Sequence, residues 1–153
     1  MTFAFKKLIP ALACAALMAG NVAWAEHSVT PDEAVPLPEQ QMSGSVAYVT
    51  GGIPFEQIPA FVSARRAYAL NIEVYEKAGT KNEFTADAQV KLFDRSGNVV
   101  LEAKTEGPYL WAKVPPGQYR LQTTLNGRMQ EQRVAISTGA ATRAIVVFPQ
   151  MTD

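Results

Sequence analysis

The stretch VKLFDRSGNVVLEAKTEGPYLWAKVPPGQYRLQTTLNGRMQEQRVAISTG, Val90 to Gly139, decides the fold class. Apolar and polar residues alternate along it: Val90 and Leu92 around Lys91, then Val99, Leu101 and Ala103 around Glu102, then Leu110, Ala112 and Val114. Tyr119, Leu121, Thr123 and Leu125 continue the pattern, and Val134 and Ile136 close it. A period of two buries one face of each segment, which is how a strand reads. Turn residues interrupt the segments at Ser96-Gly97-Asn98, Glu106-Gly107-Pro108, Pro115-Pro116-Gly117, Asn126-Gly127 and Thr138-Gly139. Short strands at a spacing of about ten residues describe a sandwich or a barrel and not a parallel sheet. Asn126-Gly127 fits the two positive-φ positions of a type I′ turn, so the strand ending at Leu125 should fold directly onto the one starting at Arg128.

The same texture extends outward in both directions. Leu70, Ile72 and Val74 alternate with Asn71, Glu73 and Tyr75 before the Ala78-Gly79 turn, and Ser45 to Thr50 is rich in β-formers before Gly51-Gly52. Ala144 to Phe148 is apolar on both faces, which predicts a strand in the middle of the structure, closed by Pro149. Pro59 suits the first turn of a helix, and one short helix is expected from about Pro59 to Ala67.

The N-terminus reads differently. Lys6 and Lys7 precede an apolar stretch from Leu8 to Ala19, and Ala23-Trp24-Ala25 before Glu26 has the small-x-small form of a signal-peptidase site. Residues 1–25 are therefore expected to be a secretory signal peptide, with Ala23, Ala25 and Glu26 at the cut, and Cys14 a small apolar residue within it. Residues 26–44, with Pro31, Pro36 and Pro38 and several acidic side chains, read as a flexible tether. Residues 45–67 are expected to pack as strand, turn and helix on a sandwich formed by 68–150.

Val114-Pro115-Pro116-Gly117-Gln118-Tyr119-Arg120-Leu121, taken with Tyr48-Val49-Thr50-Gly51-Gly52-Ile53, resembles the carboxypeptidase regulatory-like family of transthyretin-type sandwiches. The resemblance covers most of the chain and implies an all-β, antiparallel Greek-key sandwich of about seven strands, here with one short N-terminal helix. It implies little about activity, since one such sandwich hosts unrelated functions. The enzymes on related sandwiches depend on histidine, and the single His of this chain, His27, lies in the expected tether.

Composition narrows the chemistry further. The chain has 153 residues, 14 basic and 14 acidic, with one Cys and one His. No charge excess marks a nucleic-acid binder, and removal of the leader would leave 12 basic and 14 acidic groups and no Cys. A zinc site, an iron-sulfur cluster and a disulfide framework all need more His or Cys than this, and a Ser/His/Asp triad fails for lack of a placed base. Glu73, Glu76, Glu83 and Asp87 remain as carboxylates, best read as an acidic edge that keeps strands soluble. No cofactor is expected.

Binding is the remaining possibility. With Leu110, Ala112 and Val114 facing the core, Tyr109 and Trp111 stand side by side on the outside of their sheet with Lys113 beyond them. Either they form an exposed platform for a protein or a sugar, or the 45–67 segment covers them with Phe55, Ile58, Phe61 and Val62. Gly51, Gly52 and Glu56 on the neighbouring turn, and the basic pair Arg65 and Arg66, complete the candidate binding set. The sequence thus points to a periplasmic or secreted, non-enzymatic accessory module that binds an envelope protein. A glycan ligand or pairing through an edge strand is the alternative, and no stable membrane insertion is expected once the leader is gone.

Overall fold

The computed structural model describes residues 35–151. The expected leader with Ala23, Ala25 and Glu26, the thiol of Cys14 and the imidazole of His27 lie outside those described residues. Ten strands form two sheets: β1 (Gln41–Ser43), β2 (Val46–Gly51), β3 (Leu70–Ala78), β4 (Lys81–Phe84), β5 (Gln89–Phe93), β6 (Val99–Lys104), β7 (Tyr109–Ala112), β8 (Gly117–Leu125), β9 (Arg128–Ile136) and β10 (Thr142–Phe148). Among the described residues one α-helix, α1 (Ile58–Ala64), lies between β2 and β3, flanked by 3-10 turns at Phe55–Gln57 and Arg65–Ala67. The first sheet runs β1-β2-β7-β3-β10 with β4 paired to β3, and the second runs β6-β5-β8-β9. This is an all-β sandwich with one short helix, as the alternation predicts.

The core between the sheets is built from the residues singled out by the period of two, except Val99, which is exposed beside the register shift at the start of β6. Leu70, Ile72, Val74, Leu110, Ala112, Val146 and Phe148 from one sheet meet Val90, Leu92, Leu101, Leu121, Leu125, Val134 and Ile136 from the other. At the β8–β9 turn both Asn126 (φ 51°) and Gly127 (φ 77°) are left-handed, and Leu125 pairs with Arg128. Tyr119 is half-buried at the edge of the core, and its hydroxyl donates to the Pro115 carbonyl at 2.7 Å, closing the proline turn on itself.

Four expectations need correction. The described residues form ten strands and not about seven, because β1 and β4 lack any apolar alternation: β4 is wholly exposed and owes its place to the hairpin with β3. Residues 41–43, at the end of the expected tether, are strand β1, paired to β2 through Gln41–Tyr48, Met42–Ala47 and Ser43–Val46. The sheets are not wholly antiparallel, since β10 runs parallel to β3. Finally, β10 lies at the margin of its sheet and not in its middle: Ala144, Val146 and Phe148 enter the core, while Ile145 is exposed and Val147 half-buried on the outer face. The apolar run there fills one face and leaves the other partly in water.

Side chains lace the two seams between the sheets. The Ser43 hydroxyl accepts the Glu102 N–H at 2.9 Å on one side. On the other, the Thr142 hydroxyl donates to the Ala135 carbonyl at 2.9 Å, and Arg128 donates to the Pro149 carbonyl and to Glu76. A third tie joins the β2 exit to the turn before β7: the Thr50 hydroxyl donates to the Tyr109 carbonyl at 2.8 Å and accepts the Glu106 N–H at 3.0 Å. Here Gly107 lies so close to the Gly51 backbone that a Cβ on it would overlap the Gly51 carbonyl. Gly107→Ala should therefore push β2 and β7 apart and destabilise the fold by about 1–3 kcal/mol, read as a lower urea midpoint at unchanged slope.

Candidate functional site

Register puts the candidate residues on the outer face of the first sheet. Tyr109 pairs with Gly51 on one side and Glu73 on the other, and Trp111 pairs with Val49 and Asn71. These side chains point away from the sandwich core, yet Trp111 is 0% and Tyr109 5% exposed. The cover is α1. Phe61 stands edge-on to Trp111 at a centroid distance of 5.5 Å and tilts against Tyr109 at 5.5 Å, with Val49 and Tyr68 filling the sides. Ile58, Ala64 and Leu37 close the cluster. Tyr109 and Trp111 therefore offer no platform for a sugar or a partner.

The helix fits this site for a local reason. At its C-terminus the Arg65 N–H bonds the Val62 carbonyl, three residues back, so the Phe61 carbonyl is not taken up by the helix. The Trp111 indole N–H donates to that carbonyl at 2.8 Å, and two buried polar groups satisfy one another. Gly51 makes room: a Cβ there would meet Gln57 at 2.6 Å and Phe61 at 3.2 Å. The Gln57 side-chain oxygen in turn accepts the Gly52 N–H at 2.9 Å, and Ile53-Pro54 is a cis peptide.

Of the other candidates, Arg65 joins the cluster and three do not. Lys113 is exposed, its ammonium 5.3 Å from the Tyr68 ring. Glu56 and Arg66 are exposed, and among the described residues neither makes an ion pair or a side-chain hydrogen bond.

Beside the aromatic cluster is a group that alternation alone assigns to solvent. Glu73 is 1% exposed. Arg143 from β10 grips it with two bonds, Nε to Oε1 at 2.7 Å and a terminal nitrogen to Oε2 at 2.8 Å. The Tyr75 hydroxyl donates to Oε2 at 2.6 Å, and Arg65 approaches Oε1 at 3.5 Å. Burial by itself would raise the Glu73 carboxyl, but the Arg143 and Tyr75 bonds and both guanidinium charges outweigh it and hold the group below its ordinary value. Burial and the adjacent carboxylate push the Tyr75 hydroxyl up to about 12. With both oxygens engaged by cationic or hydroxyl donors, Glu73 is held as a carboxylate that pins a strand, the helix exit and the last strand together. The other carboxylates are scattered: Glu76 pairs with Arg128 and Asp87 with Lys104.

What reaches solvent here is a different pair of rings. Phe55 is 63% and Phe84 38% exposed, with centroids 6.2 Å apart. Phe84 stacks on Tyr75 at 5.3 Å and stands edge-on to Tyr109 at 5.7 Å, so an aromatic ladder runs from the surface to Trp111. Phe55 and Val62, expected to cover the sheet, are exposed; Phe61, Ile58 and Ala64 suffice for that. Phe84 went unrecognised as a surface residue because it stands alone among polar neighbours in Lys81-Asn82-Glu83-Phe84-Thr85, with no periodicity to place it.

Two substitutions probe this construction. Trp111→Ala should cost about 3–5 kcal/mol and so report on folding and not on ligand capture. Glu73 has a lowered folded pKa, so its contribution is complete above the ordinary glutamate value and is lost as pH falls through the folded one. Glu73→Gln should therefore lower stability at pH 7 by about 1–3 kcal/mol and flatten the loss of stability below about pH 4.3, measured as urea midpoints against pH.

No protein-family model matches this chain, and no curated protein does. Among solved structures the chain is similar to GBS52, the minor pilin of the gram-positive pathogen Streptococcus agalactiae, at a TM-score of 0.47 and 14% identity, over 55% of this chain and 44% of that one. The aligned part is less than half of the pilin's length.

Proposed function

We propose that this protein is a non-enzymatic, exported accessory module that docks another envelope protein on the Phe55/Phe84 surface. The observation that carries the reading is the ladder itself: Phe84, held by Tyr75 and Tyr109 over a packed base, with the more exposed Phe55 ring against it. Rigid aromatic anchors lose little entropy on binding and are the usual centres of protein interfaces. Exposed Ile53 lies on the same turn as Phe55, and the exposed Glu56 directly follows Phe55, an acidic group that favours a partner with apolar and basic character. The site carries no free carboxylate pair or positioned base, which supports a binding role over catalysis.

Export rests on the leader-like N-terminus, and the periplasm is its natural destination. Among the described residues no helix is long and apolar enough to cross a membrane. The Val114–Leu121 motif, closed by the Tyr119 to Pro115 bond, supports membership of the carboxypeptidase regulatory-like sandwiches. Pairing through an edge strand is the weaker alternative, because both sheet seams are laced by side chains. A glycan stacked on Tyr109 and Trp111 would first have to displace α1.

A photo-crosslinking residue at Phe55 should give a discrete adduct in intact cells, and one at Met129, equally exposed on the opposite sheet, should give none. The Phe55 adduct should disappear with Phe84→Ser in a chain whose urea midpoint shows it still folded. Equal adducts at both positions, or an adduct indifferent to Phe84, would remove this surface from consideration.

A further inference from the structure

The outer face of the second sheet holds a conflict that packing does not require. Arg120 on β8 pairs directly with Arg133 on β9, and both side chains are exposed. Like charges at directly opposed positions lower the stability of a sheet. Arg95, on the β5–β6 turn, lines the same cleft as these two, together with Asp94, Gln118 and Tyr119, and the cleft encloses about 460 Å³.

The acidic groups nearby are already engaged. Asp94 accepts the N–H groups of Ser96 and Asn98 at 2.9 Å each on Oδ1, and the Asn98 amide at 3.4 Å on Oδ2, which makes it the staple of its own turn. Glu131 accepts Arg120 at 3.2 Å and the Gln122 amide at 3.5 Å. Arg120 is further fixed by stacking over the Phe93 ring at 4.3 Å. Among the described residues, Arg95 and Arg133 form no ion pair. One guanidinium is thus held in place and two remain with their forks open, on three different elements around one concavity.

We propose that this cleft is an anion site for a phosphate monoester, gripped by Arg95, Arg120 and Arg133. A phosphate monoester presents three peripheral oxygens, one for each guanidinium, whereas a carboxylate presents two in one plane. Its charge of nearly −2 near neutral pH offsets the repulsion between Arg120 and Arg133. Gln118 at the cleft wall can hydrogen-bond the group that carries the phosphate. The volume accommodates a sugar-sized substituent. The site lies on the opposite sheet from the Phe55/Phe84 surface, so occupation of one leaves the other free.

The phosphate can belong to a soluble metabolite or to a lipid headgroup, and two probes separate these. Glucose 1-phosphate, titrated calorimetrically into the full chain at low ionic strength, should bind saturably with a dissociation constant on the order of 1 mM. Vesicles of phosphatidylcholine with and without phosphatidic acid supply the second probe. Arg95→Gln with Arg133→Gln should weaken whichever probe binds by about tenfold or more. Lys91→Gln, on the same face outside the cleft, should leave binding unchanged. Arg133→Gln alone should raise the Tm without ligand and abolish the gain in Tm that glucose 1-phosphate gives the parent chain, a pairing of effects that general loss of positive charge would not produce. Saturable binding of the sugar phosphate identifies a soluble ligand, and retention on phosphatidic acid vesicles alone identifies a headgroup. Failure of both probes to bind, or equal binding by the double variant, overturns the proposal.

Discussion

The bond from the Trp111 indole to the Phe61 carbonyl fixes the rest of this structure, because the first sheet is apolar on both faces. Its inner face is covered by the second sheet. Its outer face, built from Val49, Tyr109 and Trp111, is covered chiefly by the α1 segment, with Leu37 and Phe84 at the margins. A seven-residue helix is too short to hold its shape by its own hydrogen bonds. It persists because Phe61 fills the space above Gly51 and because the tightened last turn leaves a carbonyl for the indole. Helix and sheet each satisfy a demand that the other cannot meet alone.

The Glu73 cluster extends this dependence along the chain. Arg65 comes from the turn that ends the helix and Arg143 from the last strand, so one carboxylate joins two segments 78 residues apart in sequence. A buried ion pair contributes modestly to net stability, since desolvation offsets most of the attraction. Its effect here is positional: the paired groups select one placement of the helix exit and one register of β10 against β3. That register is parallel, and the chain reaches it by crossing the sandwich through β8 and β9 before returning.

Periodicity carried most of the fold, and its failures have physical causes. Alternation places a residue on one side of a sheet but does not say whether that side is wet. Leu70, Ile72 and Val74 were legible as core, while Asn71, Glu73, Tyr109 and Trp111 were legible only as the other face. Whether that face was a platform or an interior depended on an amphipathic helix whose apolar residues, Phe61 and Ile58, were visible but whose docking was not. Cross-strand partners separated by tens of residues leave no local signal, so the Glu73–Arg143 pair could not be read from either segment. Charged residues in strands usually mark the solvent face, and Glu73 is the case in which two arginines reverse that rule. β1 and β4 escaped because they follow from pairing alone, with no apolar face of their own.

The two outer faces also differ in what they leave available. On the first, apolar area that would otherwise be sticky is sealed, and the seal itself presents Phe55 beside Phe84 on β4 as a small, firm aromatic edge. On the second, none of the described residues forms a segment over Lys91, Arg120, Gln122 and Arg133, whose polar heads make a cover unnecessary for solubility. Solubility alone would be served equally well by alternating signs across strands, as Lys91 and Glu102 do. The opposed arginines depart from that economy at one end of the face only, next to a turn that contributes a third. Selection for a stable sheet does not account for that placement, whereas a ligand that brings negative charge does. The fold therefore keeps two kinds of group apart by side: aromatic rings on a sealed sheet, and guanidinium groups on the other, of which Arg120 is paired to Glu131 while, among the described residues, Arg95 and Arg133 form no ion pair.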